Sequence, residues 1–402
     1  MDDTAPRLRI AMIGTRGVPA AYGGFETAVE EIGRRLVERG HEVTVYCRST
    51  AKDRPHQHLG MKLVYLPAFR SKSLETLSHS GFSALHVVRH RRQDVSFVFN
   101  AANSPFVPLI RWRGVPTAVH VDGLEWKRGK WGRWGRRYYR VAEQLAVRWA
   151  DALISDAQGI ADYYDREFGI PSELISYGTN ILRSPAANRL AELDLESGKY
   201  HLVVARFEPE NHVDVIVDGY AASSAELPLV VVGSAPYAAE YTDRIAAVAA
   251  NDPRIRMLGG VWDQELLDQL YANALEYVHG HSVGGTNPSL LRAMGAGTAV
   301  GAFDVSFNRE VLGEEGRFFR TAEDVSRLLE NAEAAPPQMN EIASRLQERA
   351  EENYNWDDVA LGYERLAQRL TGGYSTRGAR RGSRAASTWI DETAASTALK
   401  DA

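Results

Sequence analysis

The sequence predicts an α/β protein with two doubly wound parallel sheets, one in each half of the chain. Short apolar runs of strand length recur, and segments with helical spacing of apolar residues lie between them. Many of these runs are apolar at every position, as in strands whose two faces are both buried. The alternation begins near residue 8 and starts again after Asn180, so we expect two domains in series with a cleft between them.

In the first half, the apolar run 8–13 ends at Gly14 and leads through a glycine-bearing loop into a helix predicted over 25–38. Gly40 ends this helix, and the next strand, 41–48, completes a β-α-β unit. Further strands of this half are predicted over 62–66, 95–100 and 117–121.

In the second half, the apolar runs 200–207 and 227–232 predict strands that are followed by helices over 213–223 and 238–251. Later strands are predicted over 255–258, 275–278 and 298–302. The stretch 181–198 is the predicted boundary. We therefore expect a first domain over 1–182, a second over 183–355, a terminal helix over 356–371, and a disordered tail over 372–402 that is rich in Gly, Ser, Ala and Arg.

The composition is that of a globular protein, with 402 residues, 44% of them hydrophobic and 25% charged. These proportions exclude collagen-like, wholly disordered and disulfide-stapled chains. The single cysteine, Cys47, cannot form a disulfide within the chain and fits a reducing compartment. The N-terminus lacks the pattern of a signal peptide, and no apolar run approaches the roughly 20 residues that cross a bilayer. The sequence therefore predicts a cytoplasmic protein, soluble or peripheral to a membrane.

The charge is divided unevenly along the chain. Residues 1–180 hold 26 Lys+Arg and 19 Asp+Glu, a balance of +7, and the remainder holds 21 and 33, a balance of −12. The excess arises from 126–140, which has seven basic residues, three Trp, two Tyr and no acid. Aromatic rings suit a membrane interface and basic side chains attract anionic lipids. We predict an anionic membrane surface as partner for Trp126, Lys127, Arg128, Lys130, Trp131, Arg133, Trp134, Arg136 and Arg137.

Two alternatives to this membrane patch are a nucleic-acid site, since basic residues interleaved with aromatics also bind single strands, and a plain solvated helix edge. The acidic second half argues against nucleic acid.

The loop from Gly14 to Gly24 lacks the spacing of a dinucleotide fingerprint and the lysine of a P-loop. It still leads glycines into a helix N-terminus, where backbone N–H groups and the helix dipole favour a phosphate. A plain strand-to-helix connection is the alternative. His120 and Arg206 each stand at the carboxyl end of an apolar strand, the edge where such sheets bind ligands. There a histidine can act as acid or base, and an arginine can grip a diphosphate.

A second candidate anion site follows the strand that ends near His279. Gly284 and Gly285 lead into a helix with Asn287 as its N-cap and Pro288 in its first turn. The histidines near this strand do not by themselves predict a metal site, because a third and fourth ligand are not evident in the sequence.

Four segments resemble the family 4 glycosyltransferases of the GT-B fold, over roughly residues 8–370. They are Gly14–Thr27, His120–Arg128, Ala205–Glu210 and His279–Met294. Gly14–Thr27, His120–Arg128 and His279–Leu291 are similar in particular to bacterial rhamnosyltransferases of cell-surface polysaccharide synthesis. The resemblance implies two Rossmann-like domains facing a cleft, with the terminal helix crossing back to the first domain.

The resemblance implies transfer of a sugar from a dTDP- or UDP-sugar, with rhamnose from dTDP-rhamnose as the branch's donor. The acceptor would be a glycan or a polyprenyl-diphosphate-linked sugar at the inner face of the cell membrane. It also implies retention of the anomeric configuration, with the departing phosphate as base, and a reaction that needs no cofactor or metal. The alternatives are a catalytically weak protein that binds a nucleotide or glycan, and a nucleotide-sugar epimerase.

Individual residues acquire roles from the same resemblance. The candidate catalytic residues are His120 and Arg206. The donor sugar would lie near His279, His281 and Ser282, and the acceptor near Tyr22, His120, Asp122 and Glu125. The donor nucleotide and its diphosphate would be bound by Gly23, Gly24, Arg206, Glu210, Asn211, Gly284, Gly285, Thr286, Asn287 and Arg292.

The sequence departs from the family pattern at three of these positions. Asn211 stands where a diphosphate-binding lysine is usual, and Gly284 and Arg292 stand at two glutamate positions. The second glutamate normally contacts the ribose, so Arg292 reverses a charge there. Arg292 either reaches a phosphate or weakens the donor site, and the second outcome favours the weak-binding alternative.

Overall fold

Two sheets contain the strands of the described part of the chain. The computed structural model describes residues 6–20, 23–49, 54–69, 74–90, 92–121, 123–129, 131–234 and 239–377. The strands of the first sheet are β1 (Arg9–Ile13), β2 (Glu42–Arg48), β3 (Gln57–His58), β4 (Met61–Leu66), β5 (Val95–Phe99), β6 (Thr117–Val121), β7 (Ala152–Ser155) and β8 (Glu173–Leu174). Those of the second are β9 (His201–Val204), β10 (Leu229–Val232), β11 (Ile255–Gly259), β12 (Glu276–His279), β13 (Ala299–Phe303) and β14 (Arg317–Phe319).

Both sheets are parallel, which confirms the predicted fold class. The first has the strand order β3-β4-β2-β1-β5-β6-β7-β8, in which short β3 runs antiparallel to β4. The second has the order β11-β10-β9-β12-β13-β14. The strand order reverses between β1 and β5 in the first sheet and between β9 and β12 in the second. Such reversals open a crevice at the carboxyl ends of the strands, where ligands bind.

The helices within the described ranges are α1 (Gly24–Glu38), α2 (Glu75–His90), α3 (Val107–Arg111), α4 (Arg133–Trp149), α5 (Gln158–Phe168), α6 (Val213–Ala222), α7 (Ala239–Asn251), α8 (Gln264–Ala272), α9 (Pro288–Gly295), α10 (Ser306–Leu312), α11 (Ala322–Ala334), α12 (Pro336–Asn353) and α13 (Trp356–Thr371). None of these helices combines the length and the apolar character that a bilayer crossing requires.

Successive residues of the central strands are buried on opposite sides of each sheet. In β1, Ile10 and Met12 belong to one apolar cluster, whereas Ala11 and Ile13 belong to another. This follows from the two-residue period of a strand, and it explains why these runs are apolar at every position. The core therefore covers both faces of the sheet.

Helix α13 packs against α1 of the first sheet's domain. The buried carboxylate of Glu364 accepts a hydrogen bond from Arg39 and lies 2.9 Å from His41 Nε2. Asp357, in the first turn of α13, lies 2.6 Å from Arg35 Nε. The C-terminal helix is thus tied to the first domain by ion pairs as well as by apolar contact. The part of the tail beyond residue 377 lies outside the described residues.

Candidate active site

A cavity of about 950 Å³ lies between the two sheets, at the carboxyl ends of their strands. Both domains line it. The first contributes Arg16, Gly23–Glu26, Asn100, Gly123, Glu125, Arg128, Asp156 and Tyr177, and the second contributes Val204–Arg206, Val232–Ser234, Gly260–Trp262, His281 and Val283–Ser289. This cavity, hereafter the cleft, brings together the predicted glycine loop, Arg206 and the Gly284–Asn287 segment.

The N-terminus of α1 faces the cleft, as predicted for an anion site. Helix α1 begins at Gly24, where an added β-carbon would lie 2.8 Å from Pro288 Cγ of the second domain. The first turn also carries Glu26, whose carboxylate accepts the backbone N–H of Arg16 at 3.0 Å. The loop therefore offers a helix dipole and a cation to an anion, but it also holds one carboxylate nearby.

The Gly284–Thr286 loop of the second domain lies directly on the first domain. An added β-carbon on Gly123 would collide with the backbone of Gly284, and one on Gly285 would collide with the Asp156 carboxylate. The Thr286 hydroxyl donates to the Asp156 carbonyl oxygen at 2.6 Å. The Thr286 side chain, predicted to bind the donor, is thus occupied by a contact between the domains.

Glycine at position 284 has a backbone explanation. Its φ is +140°, a conformation that L side chains rarely adopt. A glutamate at this position would strain the loop. The positive φ, together with the close approach of Gly123 to the Gly284 backbone, explains why glycine stands here in place of the family's glutamate.

The Asn287 side chain accepts the backbone N–H of Ser289 at 2.9 Å, which confirms the predicted N-cap of α9. The N-terminus of α9, with its backbone N–H groups, faces the cleft, because Asn287, Pro288 and Ser289 all line the cavity.

Three arginine side chains line the cleft among the described residues: Arg16, Arg128 and Arg206. Arg206 is about one-third exposed and lies 3.5 Å from the buried Glu208 carboxylate. Arg128 is ion-paired with Glu125 at 2.6 Å. Arg128 thus lines the cleft, whereas the later arginines of the predicted membrane patch lie on the exposed surface. Glu125, predicted near the acceptor, also lines the cleft, and its buried carboxylate binds Arg128 and accepts the Trp131 indole N–H.

His120 is fully buried beneath the cleft rather than exposed in it. Its Nδ1 lies 2.7 Å from the Tyr363 hydroxyl of α13, and its ring packs against Phe25 and Tyr177, which line the cavity. Burial lowers the pKa of His120 to about 3. The imidazole is therefore neutral at physiological pH, so it cannot serve as a cationic partner for a phosphate. Its Nε2 makes no hydrogen bond.

Of the three residues predicted near the donor sugar, His281 alone lines the cleft. The buried His279 ring bonds the Tyr277 hydroxyl through Nδ1 at 3.0 Å and stacks on His281. Burial lowers the pKa of His279 to about 3. The Ser282 hydroxyl donates to the Glu210 carbonyl oxygen at 3.0 Å. His279 and Ser282 thus support the loop instead of facing the cavity.

Asn211, Glu210 and Arg292 do not line the cleft either. The buried Asn211 amide donates to the Arg206 carbonyl oxygen at 2.7 Å and so shapes the loop that carries Arg206. Buried Glu210 lies beside Gly129 of the first domain. Arg292 donates to Asp268 at 2.8 Å and to the Gln264 side chain, so its charge is neutralised within the second domain.

The predicted membrane patch divides into two parts. Arg133, Trp134, Arg136 and Arg137 are exposed on the first turns of α4, with 74% of Trp134 accessible. Trp126 instead packs under the Arg140 guanidinium, which lies 4.2 Å from the centre of its ring, and Trp131 packs against Tyr139. Lys127, next to Trp126 in the sequence, is exposed. Lys130, together with the predicted acceptor residues Tyr22 and Asp122, lies outside the described residues.

Arg16 and Glu26 are cleft residues that lie within the Gly14–Thr27 segment but received no predicted role, and Asp156 and Tyr177 lie outside every motif. Asp156 directly follows β7, so the rule that selected His120 and Arg206 could have found it had β7 been predicted. Among the described residues, no group of three or more His, Cys, Asp and Glu side chains has the proximity of a metal site.

Sequence families match the chain in two consecutive blocks. Residues 23–178 match the glycosyl transferase 4-like domain, and residues 188–352 match the glycosyl transferases group 1 domain. The gap between the two matches, 179–187, overlaps the predicted linker, 181–198. No curated protein matches the chain.

Solved structures share the fold over most of the chain. Sucrose-phosphate synthase from Thermosynechococcus elongatus has a TM-score of 0.78 at 21% identity, over 91% of this chain and 100% of that one. HepE from Anabaena, in complex with UDP-glucose, has a TM-score of 0.73 at 15% identity, over 90% and 100%. A glycosyltransferase from Rickettsia africae has a TM-score of 0.69 at 12% identity, over 91% and 99%.

Proposed function

We propose the class of donor and the class of acceptor that this chain uses. The premise is that the chain is a glycosyltransferase of the GT-B fold and consists of a glycosyl transferase 4-like domain and a glycosyl transferases group 1 domain. Its donor is a nucleoside-diphosphate sugar. The observation that carries this proposal is the cleft, where Arg206 and the N-termini of α1 and α9 converge from both domains. Such groups stabilise the charge that develops on a departing diphosphate. HepE, which shares the fold, binds UDP-glucose.

The proposed reaction transfers a deoxyhexose, rhamnose from dTDP-rhamnose, with retention and without a metal. The departing phosphate acts as the base toward the acceptor hydroxyl. Retention, the rhamnosyl donor and the independence from metal come from the resemblance of the three long motifs to the rhamnosyltransferase branch. Neutral His120 supports the acceptor side of the cleft through Phe25 and Tyr177.

The proposed acceptor is a sugar linked to a polyprenyl diphosphate at the inner face of the cell membrane, reached by peripheral binding of the first domain. Exposed apolar side chains on this domain support it, because Trp134 and Trp112 are each 74% accessible. An apolar groove of about 410 Å³ lies between α2 and the start of α3, lined by Phe69, Leu74, Leu77, Phe82, Leu85, Phe106 and Leu109. Trp112 follows α3 directly, so the groove and this exposed indole are neighbours along the chain.

The test is a donor panel with the purified full chain, anionic vesicles and a polyprenyl-diphosphate-linked sugar. We expect release of nucleoside diphosphate with dTDP-rhamnose, dependence on the acceptor, an unchanged rate with a chelator, and a product with the donor's anomeric configuration. Turnover of a donor without acceptor would indicate an epimerase instead. Absence of turnover with every dTDP-, UDP- and GDP-sugar would overturn the proposal.

A further inference from the structure

The cations of the cleft come unequally from the two domains. Arg206 is the arginine that the second domain contributes to the described lining, whereas Arg16 and Arg128 come from the first. Asn211 adds no charge, because its neutral, buried amide is bonded to the Arg206 carbonyl oxygen. A diphosphate group carries at least two negative charges, so Arg206 alone leaves it under-neutralised.

Arg128 is held in place before any ligand arrives. It follows the short helical turn Glu125–Lys127, and its guanidinium lies 2.6 Å from the Glu125 carboxylate. That carboxylate is buried and also accepts the Trp131 indole N–H at 3.2 Å. The Arg128 side chain is only 20% exposed. The pairing with Glu125 offsets part of the Arg128 charge. Unlike Arg292, however, Arg128 lines the cleft, and the pairing fixes its fork of N–H donors where it can donate to an anion.

The segment that carries Arg128 reaches across to the second domain. An added β-carbon on the next residue, Gly129, would lie 3.4 Å from Glu210 Oε2. Both Arg128 and Arg206 help to lower the pKa of His281, although its burial is the larger cause. The two guanidiniums therefore act on the same point of the cleft from opposite domains.

We propose that Arg128 is a diphosphate-binding residue, which the first domain contributes opposite Arg206. This inference rests on the proposed function and assigns part of its diphosphate site. A diphosphate held by both guanidiniums bridges the domains. Its binding therefore favours contact between the domains, and its departure allows them to separate. The aromatic and basic residues beyond Arg128 then serve a different surface.

The experiment measures calorimetric binding of UDP and dTDP to the full chain and to matched variants. Arg128→Gln should weaken nucleoside-diphosphate binding about tenfold to hundredfold, as for loss of a charge-assisted hydrogen bond. Arg128→Lys retains the charge and should lose less. Arg148→Gln is the control, because Arg148 is exposed on α4 and belongs neither to the cleft lining nor to the predicted membrane patch, and it should bind UDP and dTDP as the unaltered chain does.

The double variant Glu125→Gln/Arg128→Gln covers the case in which Arg128→Gln leaves Glu125 unpaired and unfolds the chain, and it should show the same loss. Unchanged diphosphate affinity in a folded Arg128 variant would overturn this inference while leaving the proposed function intact. An Arg128 variant that loses binding to anionic vesicles but keeps its affinity for UDP and dTDP would overturn this inference as well. An unaltered chain that binds no nucleoside diphosphate would overturn the proposed function itself, and this inference with it.

Discussion

At the scale of single residues, the cleft depends on glycines where the two domains meet. Gly123 lies against the backbone of Gly284, and Gly24 lies against Pro288. Neither position has room for a β-carbon in this closed arrangement. The glycines predicted to let a diphosphate approach the backbone therefore also let one domain approach the other.

We expect Gly123→Ala to hold the domains apart, because the added methyl group meets the Gly284 backbone rather than a flexible side chain. Since the contact lies in a cleft, the free energy of unfolding should change by less than about 1 kcal/mol. A displacement of about 1 Å at the reacting groups is enough to lower kcat/KM about a hundredfold. Gly132→Ala is the control, because a β-carbon there meets open space. Equal kcat/KM for the two variants, measured with the donor that turns over, would contradict this role.

At the scale of elements, α4 separates two functions that are adjacent in sequence. Its inner face packs Tyr139, Ala142, Ala146 and Val147 into the first domain, and its first turns expose arginines and Trp134. Arg128, a few residues earlier, turns into the cleft. The basic and aromatic composition of 126–140 is uniform, so only the direction in which each side chain points distinguishes a membrane-facing residue from a ligand-facing one.

We expect the full chain to bind anionic vesicles and to lose at least tenfold in affinity when Arg133, Arg136 and Arg137 are all changed to Glu. Each basic residue near an anionic surface contributes about 1 kcal/mol, and this attraction weakens as salt rises. Reversal of Arg320, Arg327 and Arg345, on the second domain, is the matched control. Vesicle co-sedimentation measures the effect. Binding that is unaltered by the α4 changes would exclude membrane docking through this helix.

At the scale of the whole molecule, each sheet buries a histidine at or next to the carboxyl end of one of its strands. His120 belongs to β6 of the first sheet and bonds Tyr363 of α13, and His279 ends β12 of the second. Burial lowers the pKa of each to about 3. Both are neutral in the folded protein, but in the unfolded chain each is protonated below about pH 6.5.

Stability should therefore be full above about pH 6.5 and fall as the pH drops from there toward 3, because the unfolded chain binds the extra protons. At pH 5 each such histidine costs about 2 kcal/mol relative to pH 7. We expect His279→Gln to reduce this acid sensitivity by about that amount, measured by urea unfolding at both values. His56→Gln, at an exposed position, is the control. An identical loss of stability in His279→Gln and the unaltered chain would show that His279 is not held neutral.

Ten of the fourteen strands in the described part of the chain, the helix that opens at Asn287 and the sheet edge expected to bind ligands are predicted from the order of residues along the chain, whereas β3, β7, β8 and β14 are not. Apolar periodicity, turn-forming glycines and N-cap chemistry are local, so adjacent residues carry them. The predicted helix 213–223 begins at the same residue as α6 and ends one residue later.

Only the folded chain could decide which polar side chains face the cleft. Asn211, Ser282 and Arg292 lie in or near motifs that predict ligand binding, but their hydrogen bonds go to other protein groups. Arg128 lies in a segment typical of membrane contact, yet it lines the cavity. Thr286 meets Asp156, 130 residues away. A polar atom forms a hydrogen bond with whichever partner the fold brings within about 3 Å. For several of these residues the partner belongs to another element, so the local sequence does not determine it.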